Sequence, residues 1–451
     1  MSNKRTIKID SVEPRKYVKK DGGSGQPDSI DKLSNVTLSD EQVQVKDDII
    51  RFVKESIRNH REGDLPRVYV IKGGAGTGKS VVLNNLFNEI QKLNRKVGDE
   101  DLKGTRNYLV VNHPEMIRLY HRIARSFAYL SKRDIERPTS YINQFAKDRQ
   151  KNKRLLNDLV IVDEAHLLAT CKNAYKKFYG ENHLTEIMKT CKVAVVVYDE
   201  RQTLRTDQFW AEHSAHGCSL EDVLRQHSRE HREYELQQQF RMNLSNANED
   251  NTDVLQWVQR VCFQRHVQPV PRERLGGHFE FKVFDDCQQM YERVRSKNAQ
   301  YGQCRILSTY DYPYRISGDR DWYVTGRGGF RLRWDKFTPG HTVPWSERDY
   351  TIDEVGSVYT IQGFDLNYVG VIIGPSVDID WAADTVSVNA AAYEDRAGTV
   401  RRAGLDRDKA VETIVLNSLY VLLTRGVRGL YVYVHSEGAE PRAGERGEGN
   451  V

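Results

Sequence analysis

A glycine-rich segment at residues 73–80 constrains this chain more than any other part of its sequence. It matches the pattern G-x-x-x-x-G-K-[ST] without a gap. The preceding residues 67–72 have a β-branched and aromatic centre, which is typical of a buried strand. The residues that follow place apolar side chains on one face of a helix. Strand, glycine loop and helix together predict a loop that wraps a polyphosphate with inward-pointing backbone N–H groups.

Two side chains of this segment carry the predicted chemistry. Lys79 is expected to reach the β- and γ-phosphates of a nucleoside triphosphate, and Ser80 is expected to bind Mg²⁺. The alternative is a glycine-rich turn with a chance Lys-Ser pair, but it leaves the flanking strand and helix unexplained. The predicted nucleotide-binding residues of the loop are Gly73, Gly74, Ala75, Gly76, Thr77, Gly78, Lys79 and Ser80.

Composition limits the class of protein. Of the 451 residues, 39% are hydrophobic and 29% are charged, which is typical of a globular protein with more than one domain. The sequence contains no run of about 18 apolar residues and no apolar segment of a secretory signal near its start, so we expect a cytoplasmic protein without membrane partners. The net charge of +5 permits nucleic-acid binding without indicating it.

Acidic residues follow a second apolar strand, at residues 159–162. Asp163 and Glu164 come at its carboxyl end, where open parallel sheets bind ligands. Asp163 suits the shell of Mg²⁺, and Glu164 suits the base that activates the attacking water. After a further predicted strand, residues 193–198, Gln202 is either a sensor of the γ-phosphate or an ordinary loop residue.

The first ordered element is expected to begin near residue 38. Ser39 or Asp40 can cap a helix there, and Gln42 lies in its first turn. The amide of Gln42 can read an adenine edge, and a surface glutamine is the alternative. Residues 1–37 and 436–451 are interpreted as a flexible arm and a disordered tail.

The second half of the chain alternates strands and helices but has no phosphate loop of its own. Residues 220–243 are interpreted as a helix that leads into the Gln239-Phe240-Arg241 motif, and residues 376–410 as a loop and a helix. Arg241 and Arg425 could stabilise charge on the γ-phosphate, although a solvated arginine is the alternative for each.

Three further patterns bear on metal binding, disulfide formation or nucleic-acid binding. His227 and His231 fit H-x-x-E-H, a zinc-protease motif, but the segment lacks an apolar residue and is interpreted as a solvated helix. The six cysteines form no C-x-x-C pair, so neither a zinc knuckle nor a disulfide framework is predicted. The stretch 133–154 is rich in Lys and Arg and is either a solvated face or a nucleic-acid track.

The ordered set of motifs resembles a superfamily 1 helicase motor and, more narrowly, is similar to the Schlafen group 3-like DNA/RNA helicase domain. The resemblance runs from about residue 38 to residue 435. It departs from the superfamily pattern at Tyr198, where a glycine is usual, and at Asp365, where a glutamate is common. The residues that carry it are Gln42, residues 73–80, residues 163–166, Gln202, residues 239–241, residues 359–365 and residues 422–426.

The resemblance implies an α/β protein with two RecA-like domains, each with a parallel sheet, and a P-loop NTPase fold. The domains are expected at residues 38–205 and 206–435, with ATP and Mg²⁺ in the cleft between them. Gly363 and Asp365 would contact the nucleotide. Single-stranded DNA or RNA would lie across both domains, and its backbone would contact Asn112, His113 and Thr360.

These expectations favour an ATP-dependent nucleic-acid motor. Its main rival is an ATP-gated binding switch that does not unwind a duplex. A phosphotransferase is disfavoured because two distal arginine motifs would have no role in it. No nuclease is visible in the sequence, so a protein partner would have to supply nuclease or another effector activity.

Overall fold

The computed structural model describes residues 36–95, 99–152, 155–174, 176–210, 219–238, 240, 253–267, 279–314, 321–335, 341 and 343–435. The expected tail and all but the last two residues of the expected arm lie outside these ranges. The chain forms two compact units. Unit 1 takes its residues from Met1–Thr203, Asp207–Gln238 and Ala403–Leu405, and unit 2 from Leu204–Thr206, Gln239–Arg402 and Asp406–Val451.

Unit 1 is built on a six-stranded sheet in which every neighbouring pair is parallel. The strand order is β3-β2-β4-β5-β1-β6. The strands are β1 (Arg67–Gly73), β2 (Asn107–Val111), β3 (Ile135–Glu136), β4 (Asn157–Asp163), β5 (Cys191–Tyr198) and β6 (Glu230–Leu236). The helices are α1 (Asp40–Arg58), α2 (Lys79–Arg95), α3 (Pro114–Ser126), α4 (Pro138–Lys151), α5 (His183–Met188) and α6 (Leu220–His227).

The apolar segments that the sequence analysis interpreted as strands form the central strands of this sheet. Strands β1, β4 and β5 are buried along nearly their whole length, as expected of parallel strands that are covered on both faces. Val70, Val162 and Val196 are among the fully buried residues of one core layer. Because parallel strands end at the same edge, the loops after β1, β4 and β5 lie side by side.

Helix α1 begins as the sequence predicted. The Ser39 hydroxyl accepts a hydrogen bond from the backbone N–H of Gln42, and the Gln42 side chain accepts one from the N–H of Ser39. This reciprocal pair satisfies two backbone donors that the first turn of a helix leaves unpaired.

The helix interpreted at residues 220–243 was wrong beyond residue 227. Helix α6 ends at His227, and residues 230–236 form strand β6, which pairs with β1. The strand is hard to recognise because it lies at the sheet edge and carries mostly charged side chains, with Glu230 bound to Arg67 and Glu233 to Lys72. His227 and His231 therefore belong to different elements. The boundary expected at residue 205 also differs from the observed division, since β6 places residues 207–238 in unit 1.

Unit 2 contains a seven-stranded sheet in the order β7-β15-β12-β8-β11-β10-β9, parallel except between β9 and β10. Its strands are β7 (Glu280–Phe284), β8 (Arg305–Ser308), β9 (Tyr323–Thr325), β10 (Arg331–Trp334), β11 (Glu354–Gly356), β12 (Leu366–Ile373) and β15 (Gly426–Val434). Its helices are α7 (Asp253–Gln259), α8 (Cys287–Tyr301), α9 (Val358–Ile361) and α10 (Arg407–Leu423).

Residues 376–410 were interpreted as a loop and a helix that enters the last motif. The helix is present as α10, but the expected loop contains a short ribbon. An antiparallel ribbon of β13 (Val377–Asp380) and β14 (Thr385–Val388) occupies its first part, and α10 starts only at Arg407. Each unit is thus an α/β layer around a mostly parallel sheet, which confirms the predicted fold class. Within the described part of the chain, no helix combines the length and the apolar character that a membrane crossing requires.

Candidate functional site

The glycine loop joins β1 to α2, as its sequence context predicted. Gly76 and Gly78 have φ angles of 84° and 80°, in the left-handed region that favours glycine. A side chain at Gly73 would bring its Cβ to 2.7 Å from Thr77 Oγ1. The loop can therefore close only with glycine at these positions, which leaves its backbone accessible to a phosphate chain.

The ammonium group of Lys79 is directed back over this loop. Its Nζ donates to the backbone oxygens of Gly73 and Gly74 at 2.6 and 2.8 Å. It also lies 3.3 Å from Oδ2 of Asp199. Lys79 is only 8% exposed, so its charge is compensated by three oxygen atoms that phosphate oxygens could replace.

Asp199 connects Lys79 to the predicted sensor Gln202. The Gln202 Nε2 donates to the same Oδ2 of Asp199, at 2.6 Å. The sequence analysis assigned no role to Asp199. A signal was present, because Asp199 follows β5, and β5 pairs with the strand that leads into the glycine loop. Because neighbouring parallel strands end at the same edge of the sheet, an acidic residue that follows β5 is expected to lie near the glycine loop that follows β1.

Asp163 lies at the end of β4 and is fully buried. Its Oδ2 accepts a 2.6 Å hydrogen bond from the Tyr120 hydroxyl, and its Oδ1 accepts one of 3.0 Å from the N–H of Glu164. Burial raises the pKa of Asp163, and the adjacent charge of Glu164 raises it further. A buried carboxylate of this kind gains most from a nearby cation, and the binding of Mg²⁺ by Asp163 stays a prediction.

Glu164 follows in a left-handed backbone conformation, with φ 49° and ψ 50°. Its Oε2 lies 3.0 Å from Nε2 of His166. Burial alone would raise the pKa of Glu164, but the charge and hydrogen bond of His166, together with the charge of Lys79, lower it. Glu164 is therefore kept as a carboxylate, the form that a base requires.

Gln42 contacts the glycine loop from α1. Its Nε2 donates to the backbone oxygen of Thr77 at 3.3 Å, and the residue is only 3% exposed. The structure thus places Gln42 beside the predicted nucleotide-binding residues. Its neighbour in the cap, Ser39, uses one lone pair of the amide oxygen, so one amide hydrogen and one lone pair are not accounted for by these two bonds.

The two residues expected to contact nucleic acid in unit 1 have local contacts. The Asn112 Nδ2 donates to the backbone oxygen of Leu167 at 2.5 Å, just beyond Glu164. His113 caps α3 by accepting from the N–H of Met116 and is 4% exposed. Both residues lie at the carboxyl edge of the sheet, and their contact with a strand stays a prediction.

The predicted residues of unit 2 lie around the start of β12. Arg425 is 1% exposed, and its Nη1 lies 3.4 Å from the backbone oxygen of Phe364. Gly363 adopts φ 85° one residue earlier, and Asp365 follows. The structure therefore brings Arg425 close to the predicted Gly363–Asp365 nucleotide segment within this unit. Thr360, in α9, donates a hydrogen bond from its Oγ1 to the backbone oxygen of Ser357, the residue that caps this helix.

For some of the other predicted residues, the structure gives little or no information about their contacts. Arg241 and Gln239 lie outside the described residues. Ser80 is the second residue of α2 and is partly exposed. Glu221, His231 and Glu233 form the one group of metal-binding type found in the described ranges, with ligand atoms within 4.8 Å of one another. Because Glu233 lies 2.5 Å from Lys72, we interpret this group as surface ion pairs.

Comparison with known proteins identifies the family of this chain. Residues 66–436 match the family described as Schlafen group 3, DNA/RNA helicase domain. An uncharacterized protein of Saccharomyces cerevisiae is 46% identical over 448 residues, which cover 96% of this chain and 94% of that protein.

Solved structures are more distant. A Bacteroides Pif1 structure bound to single-stranded DNA is 10% identical, with a TM-score of 0.31, and the match covers 88% of this chain and 92% of that chain. An arterivirus nonstructural protein 10 helicase in complex with DNA is 13% identical, with a TM-score of 0.30. That match covers 85% of this chain and 63% of the viral chain, less than two thirds of its length. On the family match and the yeast relative, the chain belongs to the Schlafen group 3 DNA/RNA helicase domain family.

Proposed function

We propose that this protein is an ATP-dependent nucleic-acid motor, a DNA or RNA helicase or translocase. The observation that carries the proposal is the position of Lys79. Its ammonium group lies in a glycine loop, bound to two backbone oxygens and beside Asp199. The buried carboxylates of Asp163 and Glu164 lie at the end of strand β4, which pairs with β5, the strand that precedes Asp199. Hydrolysis of a nucleoside triphosphate needs a cation that can bind the phosphates, and carboxylates that can bind Mg²⁺ and activate water. Lys79 and the carboxylates at the end of β4 suit these roles.

The residues of unit 1 fit the proposed cofactors. A side chain at Gly73 would collide with Thr77, and Gly76 and Gly78 adopt left-handed backbone angles, so the loop has the tight glycine conformation that a phosphate-binding loop requires. Ser80 and Asp163 would bind Mg²⁺, which when bound neutralises phosphate charge. Gln42 would position the base of ATP. These roles would use side chains from α1, from the start of α2 and from the end of β4.

The chemical step would depend on Glu164 and Lys79. Glu164 is a carboxylate at neutral pH and can accept a proton from an attacking water. Lys79 would exchange its bonds to the loop for bonds to phosphate oxygens, and Gln202 would follow that movement through Asp199. We further propose that Arg241 and Arg425, with Gly363 and Asp365, act on the same nucleotide when the units close.

Nucleic acid is the proposed substrate because the family is one of DNA/RNA helicase domains. In the motor hypothesis, a cycle of closure and reopening moves a single strand past Asn112, His113 and Thr360. In the alternative hypothesis, ATP switches the protein between binding states without strand separation. A protein partner with nuclease or another effector activity is compatible with both.

The first test is ATP hydrolysis with and without single-stranded DNA or RNA. Wild type is compared with Lys79→Ala and with Lys92→Ala, a control on the same helix whose lysine pairs with Glu89. We expect stimulation by at least one polymer, its loss in Lys79→Ala and its retention in Lys92→Ala. Equal turnover with and without every polymer would contradict the motor. A strand-displacement assay then separates the motor from the switch, which binds but does not unwind.

A further inference from the structure

A tyrosine on the surface of unit 1 is exposed although it lies in a well-anchored loop. Tyr179 is 71% exposed, the highest value among the large hydrophobic residues that the structure describes. It belongs to the segment of residues 171–180, here called the tyrosine loop, of which residue 175 is not described. The loop follows Ala165–Leu167 and precedes α5. An aromatic ring presented to solvent in this way has no role in packing.

The residue before Tyr179 fixes its position. Phe178 is 1% exposed and forms an antiparallel bridge with Asn173, with N–O distances of 2.9 and 3.0 Å in the two directions. The Phe178 ring also packs against His183, with ring centroids 4.1 Å apart. Tyr179 is therefore directed outward by a buried neighbour, and its ring is presented at little cost in conformational entropy.

Three lysines lie within seven residues of Tyr179 in the sequence. Lys172, Lys176 and Lys177 all lie in the tyrosine loop and are exposed. Lys176 pairs with Asp207 at 3.3 Å. Lys172 and Lys177 form no ion pair with any residue in the described ranges, and the acidic neighbour in sequence is Glu181. Two exposed lysines without an ion pair in the described part of the chain, close in sequence to an exposed ring, offer phosphate contacts and a stacking surface in one loop.

A basic helix adjoins the loop. The Asn143 Nδ2 of α4 lies 3.4 Å from the backbone oxygen of Lys177. Lys147 lies one turn further along α4, on the same face, and is exposed. This helix falls within the Lys- and Arg-rich stretch for which the sequence left a solvated face and a nucleic-acid track as alternatives. Contact with the tyrosine loop favours the second.

The loop starts at the catalytic edge of the sheet. The backbone oxygen of Leu167, three residues after Glu164, accepts hydrogen bonds from Asn112 and Gln208. Thr170 Oγ1 then donates to the backbone oxygen of Phe209 at 2.6 Å. The residues that lead into the loop are thus attached to the segments that follow β2 and β5, so a strand bound at Tyr179 would lie near elements that border the candidate nucleotide site.

We propose that the tyrosine loop is a binding site for single-stranded nucleic acid, in which Tyr179 stacks on a base and Lys172 and Lys177 contact phosphates. The inference rests on the proposed function, because it names a strand-binding surface of the same motor. Neither a motif nor an apolar pattern marks Tyr179 in the sequence. Stacking of a base on an aromatic ring is tolerant of sequence, as a translocating motor requires.

The test uses the full chain and fluorescein-labelled oligo(dT) and oligo(U) of 20 nucleotides, with fluorescence anisotropy as the readout. The variants are Tyr179→Ala, Tyr179→Phe and the double substitution of Lys172 and Lys177 by Gln. Tyr350→Ala is the matched control, because Tyr350 is 47% exposed but lies between Asp349 and Asp353. Circular dichroism verifies that each variant is folded.

We expect Tyr179→Ala to weaken strand binding about 5- to 100-fold and Tyr179→Phe to retain it within about threefold. The double lysine variant should lower the slope of log affinity against log salt by about 1.4, which corresponds to two lost phosphate contacts on a single strand. Tyr350→Ala should bind as wild type does.

Two outcomes would overturn the inference, and they are distinguishable. If wild type binds a strand and is stimulated by it, but Tyr179→Ala binds equally well, the inference fails while the motor stands. If wild type binds neither oligonucleotide although Lys79-dependent ATP hydrolysis is present, both the strand-binding loop and the nucleic-acid motor are rejected, and the loop becomes a candidate surface for a protein.

Discussion

The carboxylate of Asp199 lies 3.3 Å from the ammonium nitrogen of Lys79, and both side chains are more than nine-tenths buried. The same oxygen of Asp199 accepts from Gln202. The lysine predicted to bind phosphate and the predicted γ-phosphate sensor thus share one carboxylate. Any change in the position of the lysine must change the hydrogen bond of the sensor.

We expect Asp199→Asn to separate turnover from binding. The substitution removes a negative charge near the phosphates, so the affinity for ATP should not fall, whereas the misplaced lysine and sensor should lower kcat about 10- to 100-fold. Lys79→Ala should lower both kcat and the affinity for ATP. Steady-state kinetics and equilibrium ATP binding measure the two quantities. Loss of ATP affinity in Asp199→Asn would mean that the carboxylate helps to form the binding site itself.

Gln42→Ala tests the adenine prediction. Gln42 bonds to Thr77 and Ser39, and its remaining hydrogen-bonding capacity is what an adenine edge would use. We expect the affinity for ATP to fall more than the affinity for GTP. Competition with a fluorescent nucleotide gives both constants. Equal losses would assign Gln42 to support of the loop alone, and Gln44→Ala, on the same helix, serves as the control.

His183 predicts a pH dependence for the stability of unit 1. Burial, with a smaller contribution from Lys176, lowers the pKa of His183 from 6.5 to about 4. Its ring accepts from the N–H of Ala169, which requires the neutral form. The unfolded chain gains a proton as the pH falls through about 6.5, while the folded chain does not, so stability is lost from there down to about pH 4.

Between pH 7 and pH 5 this loss should be on the order of 2 kcal/mol. Urea unfolding of wild type and His183→Gln at both pH values measures it, and the variant should lose less stability on acidification. His231→Gln, on the edge strand β6, is the comparison. If His183→Gln and wild type respond to acid identically, the histidine is not buried as a neutral ring.

Two glycines of unit 2 offer a matched pair for packing. A Cβ at Gly426 would come within 2.4 Å of the backbone oxygen of Gly429, whereas one at Gly370 would meet the terminal Cδ1 of Ile306 at 2.5 Å. A side-chain end can rotate away and a backbone oxygen cannot. We expect Gly426→Ala to destabilise unit 2 by about 2–3 kcal/mol and Gly370→Ala by less. Urea unfolding ranks them, and the reverse order would contradict this reasoning.

The sequence predicted most of the candidate site because the site depends on local signals. Residues 73–80 require particular backbone angles, and Asp163 and Glu164 follow a long apolar strand, so both segments were recognisable without their neighbours. Asp199 and Tyr120 were missed because their roles exist only across the sheet. Each contacts a residue more than 40 positions away, and neither has a local pattern.

The same distinction explains the errors in the fold. Strands β1, β4 and β5 are buried on both faces, and their apolar runs were interpreted correctly. Strand β6 has a neighbour on one side only, and all but one of its side chains are exposed or half-buried, so its composition resembles that of a solvated helix. The ribbon of β13 and β14 is short and half exposed, and it gave too weak an alternation to be distinguished from a loop.

The charged composition of β6 also bears on how this protein avoids aggregation. An outer strand presents unpaired N–H and C=O groups to which another chain can add a strand. One outer strand of the unit 1 sheet, β3, is only two residues long. The other, β6, carries Glu230, Arg232 and Glu233. A chain that approached this border would have to desolvate these charges, so the sheet is expected to resist growth by strand addition during folding and at high concentration.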